Sequence, residues 1–240
     1  MRIYLAYGNL NMVINTEGAY IEKLTLDHRK VLEDRHEIMI DGLKKQRGGC
    51  HICCPNFGPD EKTFMQQHGF AREISWNVLA SDEDMVILKT RGIQEYRDLE
   101  MYLLYQTGNR SFRMSLTLDN KSEKELPVAP GFHPYFHTKN KEFNHFGEKY
   151  SENELTRTVF VPGSNFSFST SEFQICVKST TIGQIALWSD FKGDYICVEP
   201  TYNGPCFTRK GNDAKILGPG EKLKMETEFI IYERDGEDHC

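Results

Sequence analysis

The sequence predicts an all-β protein, built as a large antiparallel β-sandwich. Three observations carry this. Segments rich in β-branched and aromatic residues recur from the first quarter of the chain to its end. Clusters of turn-forming residues separate them: TEG, QTGNR, LDNKSEKELP, VPGSN, FKGD, YNGP and LGPGEK. Helical periodicity is scarce. Many short strands at close spacing bury their apolar faces by stacking as sheets.

Residues 19–27, AYIEKLTLD, alternate over Ile21, Lys23, Leu24, Thr25 and Leu26 and read as a strand. So do 84–91, DMVILKTR, and 111–120, SFRMSLTLDN. Residues 95–106, EYRDLEMYLLYQ, fit a short amphipathic helix or a strand flanked by two others; their Tyr, Leu and Met content favours the strand. Residues 104–118 then read as a hairpin turning at QTGNR. Residues 139–157 are polar and are expected to form a long surface loop. Residues 174–188, 194–200 and 224–233 complete the strand-rich set, and the acidic tail RDGEDHC is expected to fray. With no repeat, low-complexity tract or linker, residues 1–240 are expected to form a single domain.

Composition narrows the function. Of 240 residues, 39% are hydrophobic and 27% charged, which suits a soluble globular protein with a sizeable core. The net charge of −6 argues against nucleic acid as a partner, which calls for a basic footprint. No apolar run is long enough to span a bilayer as a helix, and the N-terminal segment lacks a signal-peptide pattern. The expectation is a cytoplasmic protein, not a membrane one. The seven cysteines are odd in number and are expected to be buried, reduced thiols. Cys50-His51-Ile52-Cys53-Cys54 holds a C-x-x-C, but a closed zinc site asks for a second pair at similar spacing.

Four segments hold the candidate chemistry. In KKQRGGCHICCPNFGP, residues 44–59, Arg47 precedes two glycines and Phe57 follows. In QQHGFARE, residues 66–73, His68 precedes Arg72 by four positions. In PGFHPYFH, residues 130–137, His133 sits against a proline among aromatics. Pro134 forces its predecessor into extended backbone and removes a ladder donor. His133 is therefore expected at the edge or end of a strand, in an apolar wall. In CVEPTYNGP, residues 197–205, Glu199 ends an apolar strand, where a carboxylate is uncommon unless paired. A His and a Glu supply an acid and a base for proton transfer near neutral pH. Of the aromatics Phe57, Trp76, Phe132, Tyr135, Phe136 and Tyr202, most are expected in the core, the rest against a sugar ring.

Taken together and in this order, RGG…CCPNFGP, HGFAR, HPYF and CVEP resemble the aldose 1-epimerases, the galactose mutarotase-like proteins. The opening INTEGAYIEKLTLD resembles the family's first strand pair, so the resemblance runs from about residue 10 to residue 232. It implies the family's supersandwich fold and the interconversion of α and β anomers of an aldose. It implies Glu199 as general base on the C1 hydroxyl, His133 as general acid on the ring oxygen, and His68 orienting the sugar. It implies no metal and no organic cofactor. RGG and HGFAR also resemble the hexose-6-phosphate mutarotase branch, which places Arg47 and Arg72 near a phosphate; of the aromatics, Phe57 and Tyr135 are the ones expected against the sugar. That branch carries an aspartate where LTRTVFVPG here has Arg157.

A sugar or sugar phosphate is thus the expected partner, with a monomer or weak homodimer as the expected state. Two other readings stand beside the enzyme: a carbohydrate-binding protein without turnover on the same fold, and a metal or redox protein built on Cys50, Cys53, Cys54 and His51.

Overall fold

The computed structural model describes residues 1–59, 65–141, 143–145, 148–207 and 214–234. Strands follow one another as β1 (Arg2–Tyr7), β2 (Leu10–Asn15), β3 (Tyr20–Leu26), β4 (Arg29–Lys30), β5 (His36–Ile40), β6 (Leu43–Arg47) and β7 (Cys50–Cys53). Then come β8 (Asn77–Ser81), β9 (Met85–Arg91), β10 (Leu99–Gly108), β11 (Ser111–Asn120), β12 (Leu126–Val128) and β13 (Gly131–His137). The last third holds β14 (Phe143–His145), β15 (Glu148–Tyr150), β16 (Val159–Pro162), β17 (Asn165–Ser169), β18 (Phe173–Ser179), β19 (Gln184–Trp188), β20 (Tyr195–Thr201), β21 (Lys215–Leu217) and β22 (Lys222–Glu233).

Among the described residues these form two large antiparallel sheets and three small ribbons. The first sheet runs β1-β2-β3-β7-β13-β20-β19-β16, with β4 paired to β3; the second runs β17-β18-β22-β11-β10-β9-β8. The all-β sandwich is as the sequence predicts. Period-2 patterning explains it. In β22, Leu223, Met225, Phe229 and Ile231 are buried on one face, with Thr227 between them. In β13 Phe132 and Phe136 face the core, where Phe136 meets Phe229 of the other sheet at 5.4 Å between ring centres. Burying one such ring stabilises by about 1.5–3 kcal/mol. Sulfur contacts also cross the core: Cys50 Sγ lies 3.8 Å from Met114 Sδ and Cys54 Sγ 3.6 Å from Met101 Sδ.

Several sequence expectations need correction. Residues 139–157 are not one loop; they hold the β14–β15 hairpin and a one-turn helix, α1 (Glu152–Leu155). A capping box starts that helix: Ser151 and Glu154 bond reciprocally across its first turn. Residues 174–188 are two strands in different sheets, β18 and β19. The β5–β6 hairpin was readable and missed: Asp41-Gly42, at φ +50° and +77°, makes the left-handed two-residue turn that joins strands with their native twist. β13 is an interior strand, so Pro134 does not sit at an edge. Cys176 is disulfide-bonded rather than reduced, whereas Cys50, Cys53, Cys54, Cys197 and Cys206 are buried and not disulfide-bonded. No described helix is long and apolar enough to cross a membrane.

Candidate active site

The first sheet's face turned away from the core carries the site, and its register builds it. Gly131 and Tyr135 pair with Thr201 and Cys197, which brackets His133 opposite Glu199. His133 also pairs with His51 of β7, Glu199 with Ala186 of β19, and Ala186 with Phe160 of β16. One cross-strand row therefore reads His51, His133, Glu199, Ala186, Phe160. Between the paired positions of β13 and β20 lie Pro134 and Pro200, which have no N–H to give a ladder. The prolines interrupt the pairing around the His–Glu pair, which is how an interior strand tolerates them.

Three members of this row, His133, Glu199 and Phe160, line a cavity of about 770 Å³. Glu199, His133, His68, Arg47, Arg72, Phe57 and Tyr135, all singled out from sequence, line it together. Of the other aromatics considered, Trp76, Phe132 and Phe136 are buried in the core and Tyr202 packs on its margin.

His133 Nε2 lies 3.2 Å from Glu199 Oε2, both side chains almost fully buried. The contact is close but not aligned as a hydrogen bond, so Glu199 Oε2 has no hydrogen-bond partner among the described residues, and neither has the other ring nitrogen, His133 Nδ1. Buried polar atoms are nearly always satisfied, and an orphaned pair marks a place built for something else. Burial pushes the Glu199 carboxyl well above its ordinary range. Burial, then the nearby His68 and Arg72, pulls the His133 imidazole well below its own. Tyr135 stacks on His133 at 4.8 Å and 16°, and Trp188 meets it edge-on at 6.1 Å.

His68 enters from the loop after β7, at φ +70°. Gly69 beside it, at φ +63°, lets the chain pass the Cys54 carbonyl: a Cβ there would stand 2.1 Å from that oxygen. Arg72 lies on the 3-10 turn Ala71–Glu73 and makes no ion pair among the described residues. Arg47 differs. Its Nε donates to Asp190 Oδ2 at 2.8 Å, and Tyr195 Oη donates to the same carboxylate. Arg47 is thus tied into the wall beside Trp188, its guanidinium 5.3 Å from the indole. Phe57 sits over Gly131, where a Cβ would meet its ring at 2.6 Å.

The proposed Cys50–Cys53–Cys54–His51 metal cluster does not form. Strand alternation sends Cys50 and Cys54 to methionines in the core, and His51 and Cys53 to the other face. Among the described residues, the ligand-type grouping is His133, Cys197 and Glu199, within 4.8 Å of one another. Two of these, His133 and Glu199, are the closely paired side chains that line the cavity.

Sequence reasoning missed several lining residues: Tyr20, Trp188 and Phe160. It also passed over His51 as a member of the row. Its signal was the His51-x-Cys53 alternation, readable only once β7 is known to be a strand.

The aldose 1-epimerase family profile matches residues 1–174. The chain belongs to the aldose 1-epimerase family. As such it is a mutarotase-like enzyme, an isomerase acting on sugars. The matched region takes in His68 and His133 but not Glu199, which the fold brings to them. No curated protein matches the chain in sequence. Solved structures match its fold along nearly its whole length. The Slr1438 protein of Synechocystis sp. PCC 6803 is 17% identical with a TM-score of 0.78, covering 98% of this chain and 96% of that one. A galactose mutarotase related enzyme from Lactobacillus acidophilus is 16% identical with a TM-score of 0.77, covering 99% of each chain. A galactose 1-epimerase from Lactobacillus acidophilus NCFM is 15% identical with a TM-score of 0.67, covering 97% and 94%. At these identities the likeness is one of fold.

Proposed function

We propose that the protein interconverts the α and β anomers of an aldose bearing a phosphate, through His133 and Glu199. The observation that carries the reaction is their 3.2 Å contact on the floor of the cavity. Glu199 takes the C1 hydroxyl proton as His133 protonates the ring oxygen. The C1–O5 bond breaks, leaving an open-chain aldehyde, protonated Glu199 and neutral His133. Rotation about C1–C2 presents the other carbonyl face. His133 takes back the O5 proton, O5 attacks C1, and Glu199 returns its proton to O1.

The pair carries one exchangeable proton throughout. Burial favours neutral His133 with protonated Glu199, the arrangement reached once the ring has opened. The opposite arrangement starts the cycle, so the site serves both with one proton. Such positioned acid–base groups typically contribute roughly 10²- to 10⁴-fold each. Phe57 and Tyr135 give the ring apolar faces, and no step calls on a metal or organic cofactor.

The phosphate reading rests on the cavity's cations. Although the chain is net −6, Lys44, Lys45, Arg47, Arg72 and Arg157 all line this cavity. Lys44 pairs with Glu37 and Arg47 with Asp190. Lys45, Arg72 and Arg157 have no carboxylate partner among the described residues, and guanidinium forks suit phosphate oxygens. Both halves of the chain supply site residues, which supports a single working domain. The five buried cysteines outside any disulfide fit a cytoplasmic setting, while the disulfide-bonded Cys176 counts against it.

Polarimetry of α-glucose, α-galactose and α-glucose-6-phosphate tests the reading, each with the protein and with Glu199→Gln. The expected result is acceleration, largest for the phosphate, that disappears in the variant. Binding of these sugars without acceleration would instead establish a carbohydrate-binding protein.

A further inference from the structure

We propose that His51 and Cys53 form a directed hydrogen-bond relay that sets the tautomer of His68, so that His68 meets the sugar as an Nε2–H donor. The relay begins at Arg72, whose guanidinium can only donate. Arg72 Nη1 lies 3.5 Å from His51 Nε2. The contact is long, but an N–H on that nitrogen would set two donors face to face. His51 Nε2 is therefore the acceptor, and the His51 proton sits on Nδ1. His51 Nδ1 lies 3.8 Å from Cys53 Sγ, close enough for sulfur to accept. The single S–H of Cys53 is then free for His68 Nδ1, 3.3 Å away. With Nδ1 accepting, the His68 proton resides on Nε2.

Each link follows from the chain. His51 and Cys53 are two apart in β7, so strand alternation puts both on the cavity side of the sheet. His51 is buried against Tyr20 at 5.3 Å and His133 at 4.6 Å between ring centres, with little freedom to turn. The Phe57 carbonyl takes the His68 main-chain N–H at 3.1 Å and, with a second lone pair beside the ring, competes with Cys53; a His68 proton on Nδ1 would be the mark of that alternative. All three members are uncharged near neutral pH. Burial, then Arg72, pulls His68 down to about 3. Burial likewise lowers His51 and raises the Cys53 thiol. Among the described residues His68, unlike His133, has no carboxylate against its ring with which to exchange a proton. His68 is therefore a fixed neutral donor to a sugar oxygen beside His133, whose ring centre is 5.0 Å away. Cys53 and His51 are positioning residues that act through it. The catalytic consequence rests on the mutarotase reading; the tautomers do not.

The test uses the full chain with ¹⁵N-labelled histidine and a two-bond ¹⁵N–¹H correlation spectrum at neutral pH, assigned with His51→Gln and His68→Gln. The expected result is opposite tautomers in adjacent histidines: His51 protonated on Nδ1 and His68 on Nε2. Cys53→Ser, which both accepts and donates, keeps that pattern and the mutarotation rate. Cys53→Ala leaves His51 unchanged, mixes the His68 tautomers and lowers kcat by about tenfold, the scale of losing an orienting partner. His68 protonated on Nδ1, His51 protonated on Nε2, or a Cys53→Ala spectrum with His68 unmoved would each overturn the relay. The spectrum of the unsubstituted protein decides even if Cys53→Ala does not fold. Opposite tautomers in a protein without mutarotase activity would sink the functional reading and leave the relay standing; matching tautomers in an active one would do the reverse.

Discussion

His133 and Glu199 face each other across neighbouring strands, Nε2 to Oε2 at 3.2 Å, in a stretch where two prolines interrupt the ladder. Burial drives both toward their neutral forms, the carboxyl by raising its pKa and the imidazole by lowering it. The pair therefore holds one proton over a wide pH range.

That one-proton state sets the rate profile. Below the lower apparent pKa of the pair both groups are protonated and no base remains. Above the upper one both are deprotonated and no acid remains. The apparent values belong to the pair rather than to either residue. Mutarotation rates measured across pH are expected to show a broad plateau, with its acid limb below the ordinary histidine range. A rate that collapses between pH 7 and about 6, where free imidazole titrates, would show that His133 is not held neutral in this way.

Stability should share the acid sensitivity. His51, His68 and His133 all have folded-state pKa values depressed by burial, His68 to about 3. Unfolded histidines take up protons near pH 6.5, so the unfolded chain binds more protons as pH falls below that value. The stability these neutral rings contribute is fully present above about pH 6.5 and is lost progressively below it. Tm from calorimetry at stepped pH should fall across this interval and fall less steeply in His51→Gln. Parallel curves for the two proteins would contradict the linkage.

Gly131 makes room for Phe57. A Cβ at that position would stand 2.6 Å from Cδ2 of the ring and 3.2 Å from the Pro200 carbonyl. Gly131→Ala is expected to cost about 1–3 kcal/mol by overpacking, read as a lower denaturant midpoint. Because Phe57 lines the cavity, KM for the sugar should rise as well. Unchanged stability would mean that the ring moves aside freely.

Arg157 offers the sharpest test of the phosphate. It lines the cavity without a carboxylate partner among the described residues. A charged hydrogen bond lost there is worth roughly 1.5–3 kcal/mol. Arg157→Ala should raise KM for α-glucose-6-phosphate by about tenfold or more and leave α-glucose nearly unaffected. Equal effects on both sugars would assign Arg157 to the ring instead of the phosphate.

Much of this was legible in the chain itself. Alternation in residues 19–27, 111–120 and 224–233 announced strands because one face of each is buried and side chains alternate strictly. His68, His133 and Glu199 stood out because each sits in a Gly- or Pro-marked setting where packing alone does not require it. The Asp41-Gly42 hairpin was equally legible and was overlooked. Residues 139–157 misled through their polarity, since the ribbon and capped helix there bury only a few side chains, such as Phe143, Tyr150 and Leu155.

Local chemistry determined the strands, the turns and which residues are proposed as an acid–base set. Partnership was decided elsewhere. That His51 stands beside His133 and not with Cys50 and Cys54, that Arg47 is held by Asp190, and that Cys53 reaches His68 all depend on strand order and register. Residues as far apart as 51, 133 and 199 meet because β7, β13 and β20 lie side by side. That order is set by burying both sheets' inner faces at once, a property of the whole chain that no local window contains.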